Sequence, residues 1–330
     1  MGRRNYLVEY FREALGGRGR VYAADARESA PALQEADGVV VVPPPSDPHY
    51  LDALLEFCEG HKIGLLVPLS DFELPALAAA RERFAALGTT ALVSSPEVVA
   101  RCFDKWAAYR FLREHGFRTP NTYPTLAGAQ AALAGGRERF PLVLKPRWGS
   151  AALGLEFVYD DDELELGFEL LGRRLGRTTL SRGPDPEGGV LVQAFVAGDE
   201  YSLDIACDLA GRYAGTLAKQ KLGLRAGDTD SAVTVADPAL SDLGRALARA
   251  LGPVGVVDCD VFVDAEGPTV LELNPRFGNA YPFAQVAGAD LPAAVVAWAR
   301  GDLPDPAWLR CEPGVTAARF SRLMLVPPTE

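Results

Sequence analysis

One stretch of this chain sets acids at a spacing that can hold a metal ion. In Gly255–Gly278, GVVDCDVFVDAEGPTVLELNPRFG, two apolar runs flank Asp264-Ala265-Glu266-Gly267, a turn composition. Paired as a hairpin centred near Glu266, the runs put Asp260 opposite Glu272 and Asp258 opposite Asn274. Side chains alternate along a strand, so all four then project from one face. The three carboxylates, gathered with an amide among valines and leucines, repel one another, and an unpaired buried carboxylate is costly. A divalent cation resolves the conflict. Oxygen ligands without His or Cys suit Mg²⁺, bound through one or two carboxylates plus substrate phosphates. The competing reading is a half-buried hairpin whose polar face meets water. Asn274-Pro275-Arg276, which brings a cation beside the acids, weighs against it.

Three further segments carry weaker signals. In Phe140–Val158, FPLVLKPRWGSAALGLEFV, an apolar strand ends in Lys145, and a loop with Gly149, Ser150 and Gly154 follows. Backbone N–H groups of such a loop can approach phosphate oxygens while Lys145 supplies charge. The pattern is neither Walker nor GxGxxG, and a plain hairpin connection stays open. In Val190–Asp204, a strand ends in Gln193-Ala194-Phe195-Val196, and Glu200 follows the turn at Gly198. Backbone groups at a strand end can read an adenine edge, and a carboxylate can accept from ribose hydroxyls. Two strands joined by a polar turn explain the same residues. Asp104-Lys105 at a helix start carries nothing alone.

The elements that must position these residues fall into two styles. Up to about residue 101, strands at Val21–Asp25, Gly38–Pro43, Gly64–Leu69 and Ala91–Ser95 alternate with helices at Arg27–Glu35, Asp47–His61 and Asp71–Leu87. That alternation predicts βαβ units and a parallel sheet. Beyond it, Ser95-Pro96, Asp104 and Thr125 read as helix starts, and Arg182–Gly189 as a surface loop. Strands at Val190–Phe195, Glu200–Cys207, Tyr213–Leu217 and Ala232–Val235 have hairpin spacing, which predicts an antiparallel α+β half.

Bulk properties exclude several classes. A length of 330 residues with 48% hydrophobic content predicts a globular chain of two or three units. No run approaches the roughly 18 apolar residues of a membrane span. MGRRNYLVEYF lacks the apolar core of a signal peptide, and the five cysteines are odd in number without a CxxC pair. A cytoplasmic protein with neither disulfides nor zinc is expected. A net charge of −11 weighs against nucleic-acid binding.

In order, these signals resemble the ATP-grasp superfamily. They run as lysine at a helix start, strand–Lys–Pro–Gly loop, strand–Gly–Glu, and acidic strand–turn–Glu-Leu-Asn-Pro-Arg. The chain is most similar to the carbamoyl-phosphate synthetase large-subunit group, with the pyrrolysine-biosynthesis ligase and amino-acid ligases. The resemblance implies a pre-ATP-grasp α/β domain (1–101), a central ATP-grasp subdomain (102–189) and a C-terminal subdomain with the metal site (190–330). It implies that Lys105 and Lys145 contact ATP phosphates under a lid from Gly149 to Gly154. Gln193, Ala194, Phe195 and Val196 would hold adenine and Glu200 the ribose. Asp260, Glu272 and Asn274 would hold one or two Mg²⁺ ions, with Mn²⁺ as an alternative. Arg276 would stabilise the transferred phosphoryl group. Lys219–Asp228, including Lys221, resembles the loop over the triphosphate. The expected reaction is ligation of a small carboxylate to an amine or another nucleophile through an acyl phosphate, by a chain that resemblance favours as a homodimer. A carboxyphosphate or phosphotransfer enzyme and a non-catalytic nucleotide-binding regulator are the alternatives. Substrate specificity is expected from Tyr281–Gln285 and Arg225. Gly2-Arg3-Arg4 resembles the turn after the family's first strand: either the start site is set downstream, or the first sheet lacks a central member.

Overall fold

The chain opens with a helix that the sequence pattern did not announce. In the computed structural model, which describes residues 4–149, 154–177, 188–321 and 323–326, α1 spans Tyr6–Leu15. It buries Leu7 and Val8 and stops at Gly16, whose left-handed backbone (φ +54°) suits glycine. Then follow β1 (Tyr22–Asp25), α2 (Pro31–Glu35), β2 (Gly38–Val41), α3 (Tyr50–His61), β3 (Leu65–Leu66), α4 (Leu74–Ala79), α5 (Arg81–Ala86) and β4 (Thr90–Ala91). All four expected strands are present but short. They pair in parallel as β1–β2 and β3–β4, two separate ribbons and not one sheet.

The expected helices are trimmed by proline. Pro31 and Pro75 each sit in the first turn of their helix, where the missing N–H is not needed, so α2 starts at Pro31 and α4 at Leu74. The single helix expected over Asp71–Leu87 breaks at Ala80, and Asp71 lies before it. Asp47 bonds the N–H of His49, and the helix begins at Tyr50.

The middle of the chain holds α6 (Pro96–Phe103), α7 (Lys105–Glu114), β5 (Thr122–Tyr123), α8 (Leu126–Ala134), β6 (Leu142–Pro146), β7 (Glu156–Val158), α9 (Asp161–Leu175) and β8 (Val190–Ala194). Ser95, Asp104 and Thr125 accept from backbone N–H groups in the first turns of α6, α7 and α8, as expected. The strands form an antiparallel sheet in the order β5-β8-β6-β7. Most of the loop expected at Arg182–Gly189 lies outside the described residues.

The remainder comprises β9 (Asp199–Cys207), β10 (Tyr213–Arg225), β11 (Asp228–Val235), α10 (Pro238–Leu251), β12 (Gly255–Asp264), β13 (Gly267–Asn274), α11 (Tyr281–Gln285), α12 (Leu291–Arg300) and β14 (Thr316–Ala318). These strands build one antiparallel sheet, β13-β12-β9-β10-β11-β14. Lys219–Asp228, expected as a loop, is instead mostly a hairpin. β10 runs on to Arg225 and turns back at Ala226-Gly227, both at positive φ.

Alternation decides what each face of this sheet does. Leu203, Ile205, Cys207, Val257, Cys259 and Val261 point to a core shared with α6, α7 and α10. Residues of opposite parity, including Ser202, Asp258 and Asp260, point the other way, toward the four-stranded sheet.

Candidate functional site

The register of the β12–β13 hairpin sets the site. Asp260 pairs with Glu272 and Asp258 with Asn274, the pairing inferred from spacing, and a bulge follows between Asp260 and Val261. With Lys221 of β10 and Glu200 and Ser202 of β9, these residues line a cavity of about 380 Å³ between the two antiparallel sheets. The opposite wall carries Lys145 of β6, Gln193 of β8 and Lys105 at the head of α7. A volume of this order matches small-molecule pockets.

Charge is matched pair by pair. The Lys221 ammonium sits 2.6 Å from Glu200 Oε1 and 2.7 Å from Asp260 Oδ1. Lys105 Nζ lies 3.2 Å from Glu272 Oε1 and donates to the Gly149 carbonyl. Asp258 accepts from Ser202 Oγ (3.2 Å) and from Arg276 Nη1 (2.9 Å). Arg276 also donates from Nη2 to Asp71 Oδ2 at 3.0 Å. Asp258 therefore faces a guanidinium, and the four-residue convergence narrows to Asp260, Glu272 and Asn274. Among the described residues no group of three or more His, Cys, Asp or Glu side chains is gathered to hold a metal. Asp260 and Glu272, each now paired with a lysine ammonium, and the Asn274 amide oxygen still form an all-oxygen donor set that fits Mg²⁺ sharing its shell with phosphates.

Burial shifts the charged groups. It pushes the Asp260 carboxyl up to about 6, against the pull of Lys221 and with a further push from Asp258. Lys145 is brought down to about 8 by burial, with Glu272 opposing and Lys105 adding to the fall. Its ammonium donates to Gln193 Oε1 at 2.8 Å, and Gln193 donates in turn to Thr122 Oγ1 at 2.8 Å. Burial also lowers the Lys221 pKa, but Asp260 and Glu200 outweigh it and the net shift is upward.

The cavity brings together Lys105, Lys145, Gly149, Gln193, Ala194, Phe195, Val196, Glu200, Lys221, Asp260, Glu272, Asn274 and Arg276. Ser150, with Ala151 and Ala152, lies outside the described residues. Gly154 is not in the lining; a Cβ there would meet Leu171 Cδ1 at 2.9 Å, so packing explains that glycine. Tyr281 is fully buried, its hydroxyl accepting from the N–H of Leu291, so it is a core residue and not a specificity contact. Arg225 is exposed at a hairpin end.

Several groups in or beside the cavity escaped the sequence reading. Leu155 and Phe157 project exposed apolar surface beside Phe195, whose ring lies 6.1 Å from that of Phe157. Alternation in β7 was the available signal for Phe157. Asp71 reaches Arg276 across 205 positions, a contact no local pattern carries. Gly278 lets the chain pass so close to Asp258 that an added Cβ would lie 2.4 Å from Oδ1.

Comparison with known proteins bears on this geometry. A family model described as an ATP-grasp domain matches residues 102–280, and one described as a PylC-like N-terminal domain matches residues 1–92. The chain is 26% identical over 216 residues to the carbamoyl phosphate synthase large chain of Mycobacterium tuberculosis. That alignment covers 63% of this chain and 18% of the relative, so the match spans under a fifth of that protein's length. Among solved structures, the biotin carboxylase domain of Hydrogenobacter thermophilus 2-oxoglutarate carboxylase superposes with a TM-score of 0.72 at 15% identity, covering 91% of this chain and 68% of that one. The L-amino acid ligase of Bacillus licheniformis gives 0.67 at 19% identity, covering 93% and 75%. Both likenesses concern the fold.

Proposed function

This chain belongs to the ATP-grasp family, and from that premise we propose that it uses ATP to activate a small-molecule carboxylate as an acyl phosphate and ligates it to an amine. The observation that carries the reading is the single cavity in which an apolar shelf adjoins an oxygen-donor stripe ringed by Lys105, Lys145, Lys221 and Arg276. Leu155, Phe157 and Phe195 suit the faces of a purine. Strand pairing on β8 stops at Ala194, leaving the Phe195–Val196 backbone beyond the ladder to read the base edge. Glu200 is placed for ribose hydroxyls once Lys221 turns to phosphate.

Asp260, Glu272 and Asn274 would hold Mg²⁺, whose charge offsets that of the triphosphate. With Asp260 and Glu272 engaged there, Lys105 and Lys221 would be free to meet phosphate oxygens. In the first step a carboxylate oxygen of the substrate bonds to the γ-phosphorus, and the bond to the departing ADP breaks. Lys145 and Arg276 offset the charge on the transferred group. An amine then attacks the acyl carbon, phosphate leaves with the C–O electron pair, and the amine loses a proton. Arg276 is preorganised for this by Asp71 and Asp258, which hold it from two sides.

The test is Mg²⁺-dependent phosphate release from ATP with pooled amino acids, small carboxylates and bicarbonate, for wild type and Glu272→Ala. Carboxylate-dependent release that falls ~10²- to 10³-fold in the variant supports the reading. Release that needs only bicarbonate and no amine points to carboxyphosphate chemistry, and failure to bind ATP overturns the proposal.

A further inference from the structure

Five carboxylates line the cleft, and four of them have a cation of their own. Glu200 and Asp260 share Lys221, Glu272 faces Lys105, and Asp258 faces Arg276. Asp228 is the exception. It opens β11 at the turn of the β10–β11 hairpin, opposite Arg225 in the ladder, and lines the cavity beside Leu224, Gly227 and Thr229. Among the described residues its carboxylate has one partner, and that partner is neutral: Asn279 Nδ2 donates to Asp228 Oδ1 at 2.5 Å.

The amide is held so that it can offer Asp228 nothing else. Asn279 Oδ1 accepts from Arg4 Nε at 2.7 Å, and a guanidinium can only donate. Nδ2 is thereby fixed toward Asp228, which when ionised can only accept. Arg319 donates to the Asn279 main-chain carbonyl and lies over the rings of Tyr6 and Phe283, 5.9 and 5.7 Å from their centroids. Ala280 and Phe283 pack on Ala232 of β11, which anchors the same segment to the sheet. Both guanidiniums thus engage Asn279, and neither pairs with Asp228. The carboxylate is fixed in place without a charge set against it, and Oδ2 accepts from no described residue.

A fixed acid of this kind favours a cationic donor, because a hydrogen bond between charged partners is roughly twice as strong as a neutral one. Mg²⁺ is a poor occupant. It demands near-octahedral oxygen ligation, and no three or more His, Cys, Asp or Glu side chains gather at Asp228 or elsewhere among the described residues. A primary ammonium is a compact charge with three donors, and Leu224, 56% exposed and paired with Thr229 next to Asp228, offers apolar surface to an alkyl stem. Asn279 also lies three residues beyond Arg276. Asp228 is therefore tied to the turn that carries the proposed phosphoryl-binding cation, and not to the apolar shelf of β7 and β8.

We propose that Asp228 selects a substrate bearing a primary alkylammonium, which it binds through Oδ2 while Asn279 holds the carboxylate in position. The inference rests on the reading of the cleft as a carboxylate–amine ligase site and narrows it. Of the two molecules joined, at least one enters as an ammonium ion, an alkylamine or an amino acid, and is preferred over a neutral counterpart of the same shape.

The experiment follows wild type, Asp228→Asn and Asp228→Glu with Mg-ATP in three arms. The first combines pooled N-acetyl amino acids with n-propylammonium, so that the nucleophile alone bears an ammonium, and reads phosphate release. The second combines pooled amino acids with hydroxylamine, a neutral nucleophile, and reads hydroxamate. The third, pooled N-acetyl amino acids with hydroxylamine, contains no alkylammonium and serves as reference. In Asp228→Asn the half-saturating concentration of an ammonium-bearing probe should rise roughly tenfold or more relative to the reference arm, and Asp228→Glu should recover part of the loss. A rise confined to the first arm assigns Asp228 to the attacking amine, and one confined to the second assigns it to an ammonium on the carboxylate substrate. Equal rises in all three arms, or a rise in none, overturn the inference, as does wild-type turnover in the reference arm with no response to either ammonium probe. ATP affinity of both variants, measured by calorimetry, should match wild type. Failure of wild type to bind ATP, or to turn over in any arm, instead overturns the reading on which the inference stands.

Discussion

The cleft between the two antiparallel sheets and a slot of about 590 Å³ lined by β1 and β3 in the N-terminal unit are walled in contrasting ways. One wall of the cleft is built of long strands, up to 13 residues in β10, interrupted by local bulges, and on it Lys221 and Arg276 each face two acids. The strands of the slot are two to four residues long and paired on one side, and its lining mixes apolar residues with Arg20, His61 and Glu73. In the first region long ladders hold the side chains proposed to meet phosphate and metal. In the second, each strand has one paired neighbour and packs its side chains against α1 and α3. Precise placement of charge needs a rigid ladder beneath it. That is why the residues proposed to bind ATP stand mainly on β6, β8, β9, β10, β12 and β13, and why the N-terminal unit lends the cleft little beyond Asp71.

The comparison can be broken most forcefully at Arg276. Arg276→Leu leaves Asp71 and Asp258 buried without their shared cation and should cost ~3–5 kcal/mol in urea unfolding, besides abolishing turnover. A loss below about 1 kcal/mol would mean that the two acids are solvated or protonated and the cleft is less preorganised than drawn.

Truncations in the two cores sharpen the contrast. Leu273, 1% exposed in the core beneath the cleft, should cost ~3 kcal/mol as Leu273→Ala. Leu66→Ala, beside a cavity that already denies it neighbours, should cost about 1.5 kcal/mol or less. Equal costs would show the slot to be as well packed as the main core.

A smaller effect follows from pH. The folded Lys145 pKa of about 8 lies below its ordinary 10.5, so between those values the unfolded chain binds more protons. This group's contribution to stability therefore rises with pH across that window, whereas phosphate binding, which needs the ammonium, falls. ATP affinity measured by calorimetry should weaken as pH passes 8, by up to roughly tenfold per unit, and Lys145→Met should remove the dependence. The smallest effect is expected at Arg118, which ties the hairpin tip through Asp264 (2.6 and 2.8 Å) and Glu266 (2.9 Å) on the surface. Arg118→Ala should leave ATP binding unchanged and lower the thermal midpoint only slightly, as for other exposed ion pairs.

Local pattern decided much of this protein. Period-two alternation and a turn of Asp, Ala, Glu and Gly were enough to pair Asp260 with Glu272, because register in a hairpin follows from its turn. Ser95, Asp104 and Thr125 announced their helices because a cap is chemistry between residues two or three apart. The order of the motifs along the chain was enough to suggest the ATP-grasp family. Other features belonged to the tertiary structure alone. Whether an acid on the cleft face meets water, a metal or a cation depends on residues brought from other strands, as when Lys221 claims Asp260 and Arg276 claims Asp258. Asp71 acquires its partner only when the N-terminal unit folds against the 276–279 turn. The split of the first sheet into two ribbons was equally invisible in any one strand, because an unpaired edge is a property of neighbours and not of the segment that bears it.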